Sequence, residues 1–168
     1  IITLDGPAGV GKGTLCKLLA KYLDAKVLNS GEIFRTVAYY LKKNKVDFED
    51  TRAVINITEK FEYKKISSNK LYVKDIDLIS SKISMIPSLR KTTIKIQRDF
   101  VKLNRHDTST LIAEGRDMGT VIFPKAELKI FMWAKPEIRA KRRLLQRKKP
   151  LKNKEFNSIL DEITSRDM

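Results

Sequence analysis

Residues Gly6-Pro7-Ala8-Gly9-Val10-Gly11-Lys12-Gly13-Thr14 set glycines and a lysine in the spacing G-x-x-x-x-G-K. Small residues let successive backbone N–H groups turn inward onto phosphate oxygens, and a helix starting directly afterwards adds the positive end of its dipole. Both flanking elements are legible. The apolar run Ile1 to Leu4 reads as a buried strand, and Leu15, Leu18, Leu19, Tyr22 and Leu23 repeat at helical spacing. In that context the loop is a phosphate cradle, from which Lys12 reaches the β- and γ-phosphates of a bound nucleoside triphosphate.

Arginines on several separate elements supply the second half of a phosphoryl-transfer site. Such chemistry needs two reactants held in line, positive charge on the transferring group and exclusion of water. Arg35 sits one turn into the helix after the second strand, Arg90 begins a helix after Pro87, and Arg116 follows the strand Leu111 to Ala113. The carboxyl edge of a parallel sheet, where Arg116 falls, is where ligands bind in open α/β folds. Arg139, Arg142 and Arg143 share one helix. The i, i+4 pair Arg139 and Arg143 repels unless an anion lies between them. Arg166 returns from the last helix. A basic arm of this kind is the expected lid over the donor. Glu114 ends its strand and is either a group orienting Mg²⁺-bound water across from Lys12 or a plain strand-end acid paired with a nearby base.

The elements that must position these residues alternate strand and helix. Lys26 to Leu28 and Leu128 to Met132 are further strands, making four, and continuous apolar strands argue a parallel α/β sheet. Ser30 is placed as the cap of a helix with Ile33, Val37, Tyr40 and Leu41 inward and Arg35 on the other side. Thr51 to Lys60 is helical, and Phe61 to Ile66 with Leu71 to Asp75 read as a hairpin around Ser-Ser-Asn. Pro87 opens a helix carrying Leu89, Ile94, Val101 and Leu103. Pro136 opens another that runs to about Lys148, and Phe156, Ile159, Leu160 and Ile163 mark the last. The expected organisation is a P-loop core at 1–45 and 81–134, an inserted acceptor-binding region at 46–80, and a lid with its returning helix at 135–168.

Composition narrows the class. The 168 residues suit one domain, and no apolar run approaches the ~20 residues of a membrane-spanning helix. The one cysteine, Cys16, has no internal partner and fits a reducing compartment, so the chain is read as soluble and cytoplasmic. Thirty-five Lys and Arg against 20 Asp and Glu give a net charge of +15, which attracts polyanions. A nucleic-acid-binding module should interleave aromatics with its basic residues, and the patch Arg147 to Lys154 has none before Phe156. His106 and Cys16 are read as incidental to the chemistry.

The loop's ending Gly-Lys-Gly-Thr resembles nucleoside monophosphate kinases more than the common G-K-[ST] loops, whose hydroxyl next to the lysine holds Mg²⁺. Here the hydroxyl comes one place later, at Thr14, which leaves the metal to phosphates and water, with no direct protein ligand. Asn29 to Arg35 (N-S-G-E-I-F-R), Glu114 to Pro124 (E-G-R-D-M-G-T-V-I-F-P) and Arg139 to Leu145 (R-A-K-R-R-L-L) together resemble the bacterial cytidylate kinases in order and approximate spacing. Asn29, Phe34 and Glu114 stand where that family usually has Asp, Tyr and Asp.

The resemblance implies transfer of the γ-phosphoryl group of ATP, with Mg²⁺, to CMP or dCMP, with UMP or AMP as the alternative acceptors. It implies Gly6 to Thr14, Arg139, Arg143 and Arg166 on the donor side and Lys12, Arg116 and Arg143 at the reaction itself. Ser30, Arg35, Ser81, Arg90, Arg116 and Asp117 match the positions that hold CMP: Arg35, Arg90 and Arg116 for its phosphate, and Ser81, Arg90 and Asp117 for the cytosine edge. Neither a nucleic acid nor a membrane is expected as partner, and a monomer is expected. Residues before Ile1, and a strand and helix after Met168, are expected as well.

Overall fold

The computed structural model describes residues 1–60, 68–146 and 153–167. The chain forms two compact units, Ile1–Val27 with Thr110–Met168, and Leu28–Ser109.

The first unit is built on β1 (Ile2–Asp5), and α1 (Lys12–Leu23) follows the glycine-rich turn. The sheet runs β2 (Lys26–Asn29), β3 (Leu111–Gly115), β1, β4 (Leu128–Phe131). Leu4 stands opposite Glu114 on one side and Ile130 on the other, both pairings parallel. Parallel neighbours bring Asp5, Gly115 and Phe131 to the same edge, where the glycine-rich turn begins. Leu4, Cys16 and Ile112 are fully buried there, with Leu15, Leu19, Ile130 and Met132 packed on them. In α7 (Pro136–Gln146) and α8 (Asn153–Asp167), Ala140 and Leu144 meet Ile159 and Ile163. These are i, i+4 pairs on facing stripes, each large side chain contributing about 1.5–3 kcal/mol on burial.

The second unit holds α2 (Ser30–Lys43), α3 (Thr51–Glu59), the single turn α4 (Ser68–Leu71), α5 (Lys74–Ile83) and α6 (Pro87–Asn104). Val37, Ala38, Leu41, Val54, Ile76, Ile83 and Leu89 form its core. Asp50 caps α3 by accepting from the N–H groups of Arg52 and Ala53 at 3.0 and 3.1 Å. Pro87 opens α6, where a missing N–H costs nothing.

Three expectations are corrected, and the buried faces of two helices are fixed. Leu71 to Asp75 is no strand: it closes α4 and opens α5, and the other half of the expected hairpin, 61–66, lies outside the described residues. The cap of α2 is Asn29, whose side chain accepts from Glu32 N–H at 3.0 Å, so Ser30 is already helical. Arg35 does not face away from the core but is buried with it. Leu18 and Tyr22 point outward at 63% and 85% exposure, the inner face of α1 running through Lys12 and Cys16. On α6, Leu103 is exposed while Thr93 and Gln97 are buried. The four strands and the helix opened by Pro87 stand where the sequence places them, as does the start of the helix at Pro136, whose expected end near Lys148 lies outside the described residues.

Candidate active site

The turn between β1 and α1 depends on its glycines at two points above all. Gly6 has φ 145, and a Cβ there would collide with the carbonyl oxygen of Met132, the residue after β4. Gly11, at φ 107, is the cap residue of α1 and makes no side-chain cap of its first turn, where Thr14 N–H donates to the Gly11 carbonyl at 3.1 Å. The start of α1 and its dipole follow the loop directly, the arrangement that holds an anion. Thr14 lies exposed in that first turn, and Gly13 has both Glu114 carboxylate oxygens at 3.7–3.8 Å from where its Cβ would stand.

Lys12 is buried, and its ammonium donates to the carbonyls of Gly6 at 2.8 Å and Pro7 at 3.0 Å. Burial pushes it below the ordinary lysine value. The Arg116 charge adds to that shift, and the charges of Glu114 and Asp5 oppose it. Glu114 and Arg116 are thus both near enough to act on Lys12. Cys16 hydrogen-bonds Glu114, and burial with that neighbouring charge pushes its thiol up to about 12, an inert thiol. Among the described residues no group of three or more His, Cys, Asp or Glu is gathered around a metal position.

Asp5, at the edge of the candidate site, is not among the site residues expected from the sequence. Its two carboxylate oxygens each accept a backbone N–H at 2.8 Å, from Met118 and Gly119. These open the wide helical turn Met118–Ile122, where Ile122 N–H reaches back to the Asp117 carbonyl and Phe123 N–H to Met118. Single π-type turns of this kind concentrate at functional sites. The last residue of β1 therefore leads into the phosphate loop and suspends the turn that follows Arg116 and Asp117. An acid closing a buried strand was the available signal.

Arg139 is 1% exposed and works beneath the loop. It donates through Nε to the Ala134 carbonyl at 2.9 Å and through Nη1 to Ala8 at 3.3 Å, and it is ion-paired with Asp167 of α8. One turn on, exposed Arg142 donates to the Val10 carbonyl at 2.9 Å, a contact not expected from the sequence. Arg143 is half-buried on the same helix, and Arg166 lies in the last turn of α8, its side chain outside the described residues.

In the second unit, Ser30 is buried and accepts from the Gln97 amide at 3.1 Å. Arg35 donates to the Leu71 carbonyl at 3.1 Å, stacks over Tyr72 and is ion-paired with Asp77. Ser81 is half-buried on α5, and Arg90 is exposed in the first turn of α6. Asp5, Asp167 and Asp77, none of them an expected site residue, and Arg142, expected only as one of three arginines on its helix, therefore touch or steady expected site residues.

A profile of the family described as cytidylate kinase matches residues 2–168. The chain belongs to that family. It is 36% identical over 181 residues to the cytidylate kinase of Yersinia enterocolitica, an overlap covering 99% of this chain and 76% of that one. The cytidylate kinases of Erwinia tasmaniensis and Vibrio cholerae are also 36% identical over 181 residues, covering 99% of this chain and 78% of theirs. The family match takes in both compact units, with the glycine-rich loop in one and Ser30, Arg35, Ser81 and Arg90 in the other.

Proposed function

We propose that this chain transfers the γ-phosphoryl group of ATP to CMP or dCMP, giving ADP and the pyrimidine diphosphate, by direct in-line transfer. The observation that carries the reading is the position of Asp5, which joins the donor loop to the turn after Arg116 and Asp117. Gly6 to Thr14 hold the ATP phosphates with backbone N–H groups. Lys12 exchanges its two carbonyl acceptors for phosphate oxygens, a charge-assisted and stronger pairing. Arg143 and Arg166 of the α7–α8 lid meet ATP, and Arg139 and Arg142 brace the loop that receives it.

On the acceptor side, Arg35, Arg90 and Arg116 take the CMP phosphate, while Ser30, Ser81 and Asp117 hold and read the nucleoside. Cytosine presents an amino donor and two acceptors, which suits a mixed set of hydroxyl, carboxylate and guanidinium. Mg²⁺ accompanies ATP and neutralises charge on its phosphates when bound. Glu114, beside Lys12 and the first turn of α1, is the carboxylate suited to its water shell. Residues 46–80 belong to the acceptor-binding region. The reading needs one copy of the chain and the nucleotide pools of the cytoplasm. Among the described residues no helix is long and apolar enough to cross a membrane.

A coupled assay of ADP formation with CMP, dCMP, UMP and AMP in parallel tests it. CMP and dCMP should turn over at least tenfold faster, by kcat/KM, than the other two. Preference for UMP or AMP would reassign the acceptor. Nanomolar, salt-sensitive RNA binding without turnover of any of the four would reject the kinase.

A further inference from the structure

Arg35 is already engaged by three partners, which any phosphate it receives must contend with. Its guanidinium lies over the Tyr72 ring at 4.5 Å, donates Nη1–H to the Leu71 carbonyl at 3.1 Å, and meets the Asp77 carboxylate through Nη2. The two ionic side chains are only 10% and 7% exposed. All three partners come from one short stretch, the end of α4 and the first turn of α5. A second ion pair, Lys42 to Asp75 at 2.5 Å, ties the same turn to α2. A buried guanidinium with one carboxylate is electrically balanced. A phosphate dianion brought to the same guanidinium must share it with the Asp77 carboxylate, a like charge at a buried position where screening is weak.

We infer that Asp77 is a competing counter-ion for Arg35: the acceptor's phosphate must displace its carboxylate, and Asp77 thereby sets how tightly CMP and its phosphorylated product are held. The inference rests on the assignment of Arg35 to the CMP phosphate made above. Asp77 is in this sense a positioning residue, acting on the nucleotide through Arg35. Its effect should fall on the phosphate alone, so that cytidine, which lacks one, does not feel it. Loosened binding of an anionic product is the functional return, since tight product binding slows turnover.

The test is titration calorimetry of wild type and Asp77→Asn with CMP and with cytidine, alongside ATP–CMP turnover. Asn keeps the shape and an acceptor oxygen but removes the charge. For Asp77→Asn the Kd and KM for CMP should fall about tenfold, the order expected from removing one like charge beside a buried anion. The KM should move more than kcat, cytidine binding should stay at the wild-type value, and Asp77→Glu should restore weaker CMP binding. CMP affinity that is unchanged or weakened in a folded Asp77→Asn protein overturns the inference. If that variant does not fold, a crystal structure of wild type with CMP decides. Separation of Asp77 from Arg35 beyond about 4 Å supports displacement, and a retained ion pair overturns it. Wild type that turns over no CMP overturns the proposed function and this inference with it. Turnover in wild type with an unaltered Asp77→Asn affinity overturns this inference alone.

Discussion

Lys12 combines a buried charge with a task that requires the charge, and its protonation is where pH should act. Burial holds its value below the ordinary 10.5, so the ammonium is lost earlier than in a surface lysine as pH rises. The alkaline limb of kcat/KM for ATP should therefore fall below pH 10.5, and Lys12→Ala should lose about 10²–10³ in kcat across the whole range while still binding CMP. In the same window the unfolded chain binds more protons at this site than the folded one. Stability should consequently rise with pH there, opposite to activity. Gly6 is the second single position with a sharp consequence. Gly6→Ala combines positive φ with a backbone collision against Met132 and should cost about 2–4 kcal/mol in urea unfolding. The loop was legible because its chemistry is local: nine consecutive residues, a strand before and a helix after. The burial of Arg35 was not, because the carboxylate that decides it, Asp77, sits on a helix that begins 39 residues later.

Elements show the same division between local and distant causes. Pro87 and Pro136 mark their helices because a missing N–H is felt at one position only. Leu71-Tyr72-Val73 carries strand-favouring residues, yet the stretch ends one helix and starts another, with Leu71 fully buried and Tyr72 spent on Arg35. Tertiary packing overrode propensity there. Leu18, Tyr22 and Leu103 fit a helical period but not the buried stripe, since an apolar repeat alone does not say which face meets the core. The turn Met118–Ile122 tests the element-scale argument. Asp5→Asn retains one acceptor oxygen but turns an amide toward the other N–H group, so it should destabilise by about 1.5–3 kcal/mol and raise the KM for CMP. A variant that loses stability with an unchanged KM would separate Asp5 from the acceptor side.

Across the whole molecule the net charge of +15 has two readings, and the arginines divide between them. Arg35 and Arg139 are buried and committed to carboxylates and carbonyls, whereas lysines such as Lys43 and Lys45 are exposed. A diffuse basic surface attracts polyanions without specificity. Any RNA binding should accordingly be no tighter than about 10⁻⁶ M and should decline steeply between about 50 and 200 mM salt, as fluorescence anisotropy would show. Nanomolar binding surviving at the upper salt would instead restore the nucleic-acid reading. The fold class was legible at this scale because four continuous apolar strands are set among amphipathic helices. The roles of Asp5 and Asp167 were not, because their partners are 113 to 114 and 28 residues away in the chain.

The pairing of Arg139 with Asp167 has a consequence for how the chain is made. The phosphate loop leaves the ribosome well before the arginine that braces Ala8, and that arginine is itself held by Asp167 further on. β1 likewise waits for β3 and β4, more than a hundred residues downstream. At about 5–20 residues per second, the 131 residues from Ala8 to Arg139 alone take roughly seven to twenty-six seconds, so the nucleotide pocket is completed long after its loop is made. ATP can therefore act as a ligand that secures the finished fold, but not as a template for the nascent one.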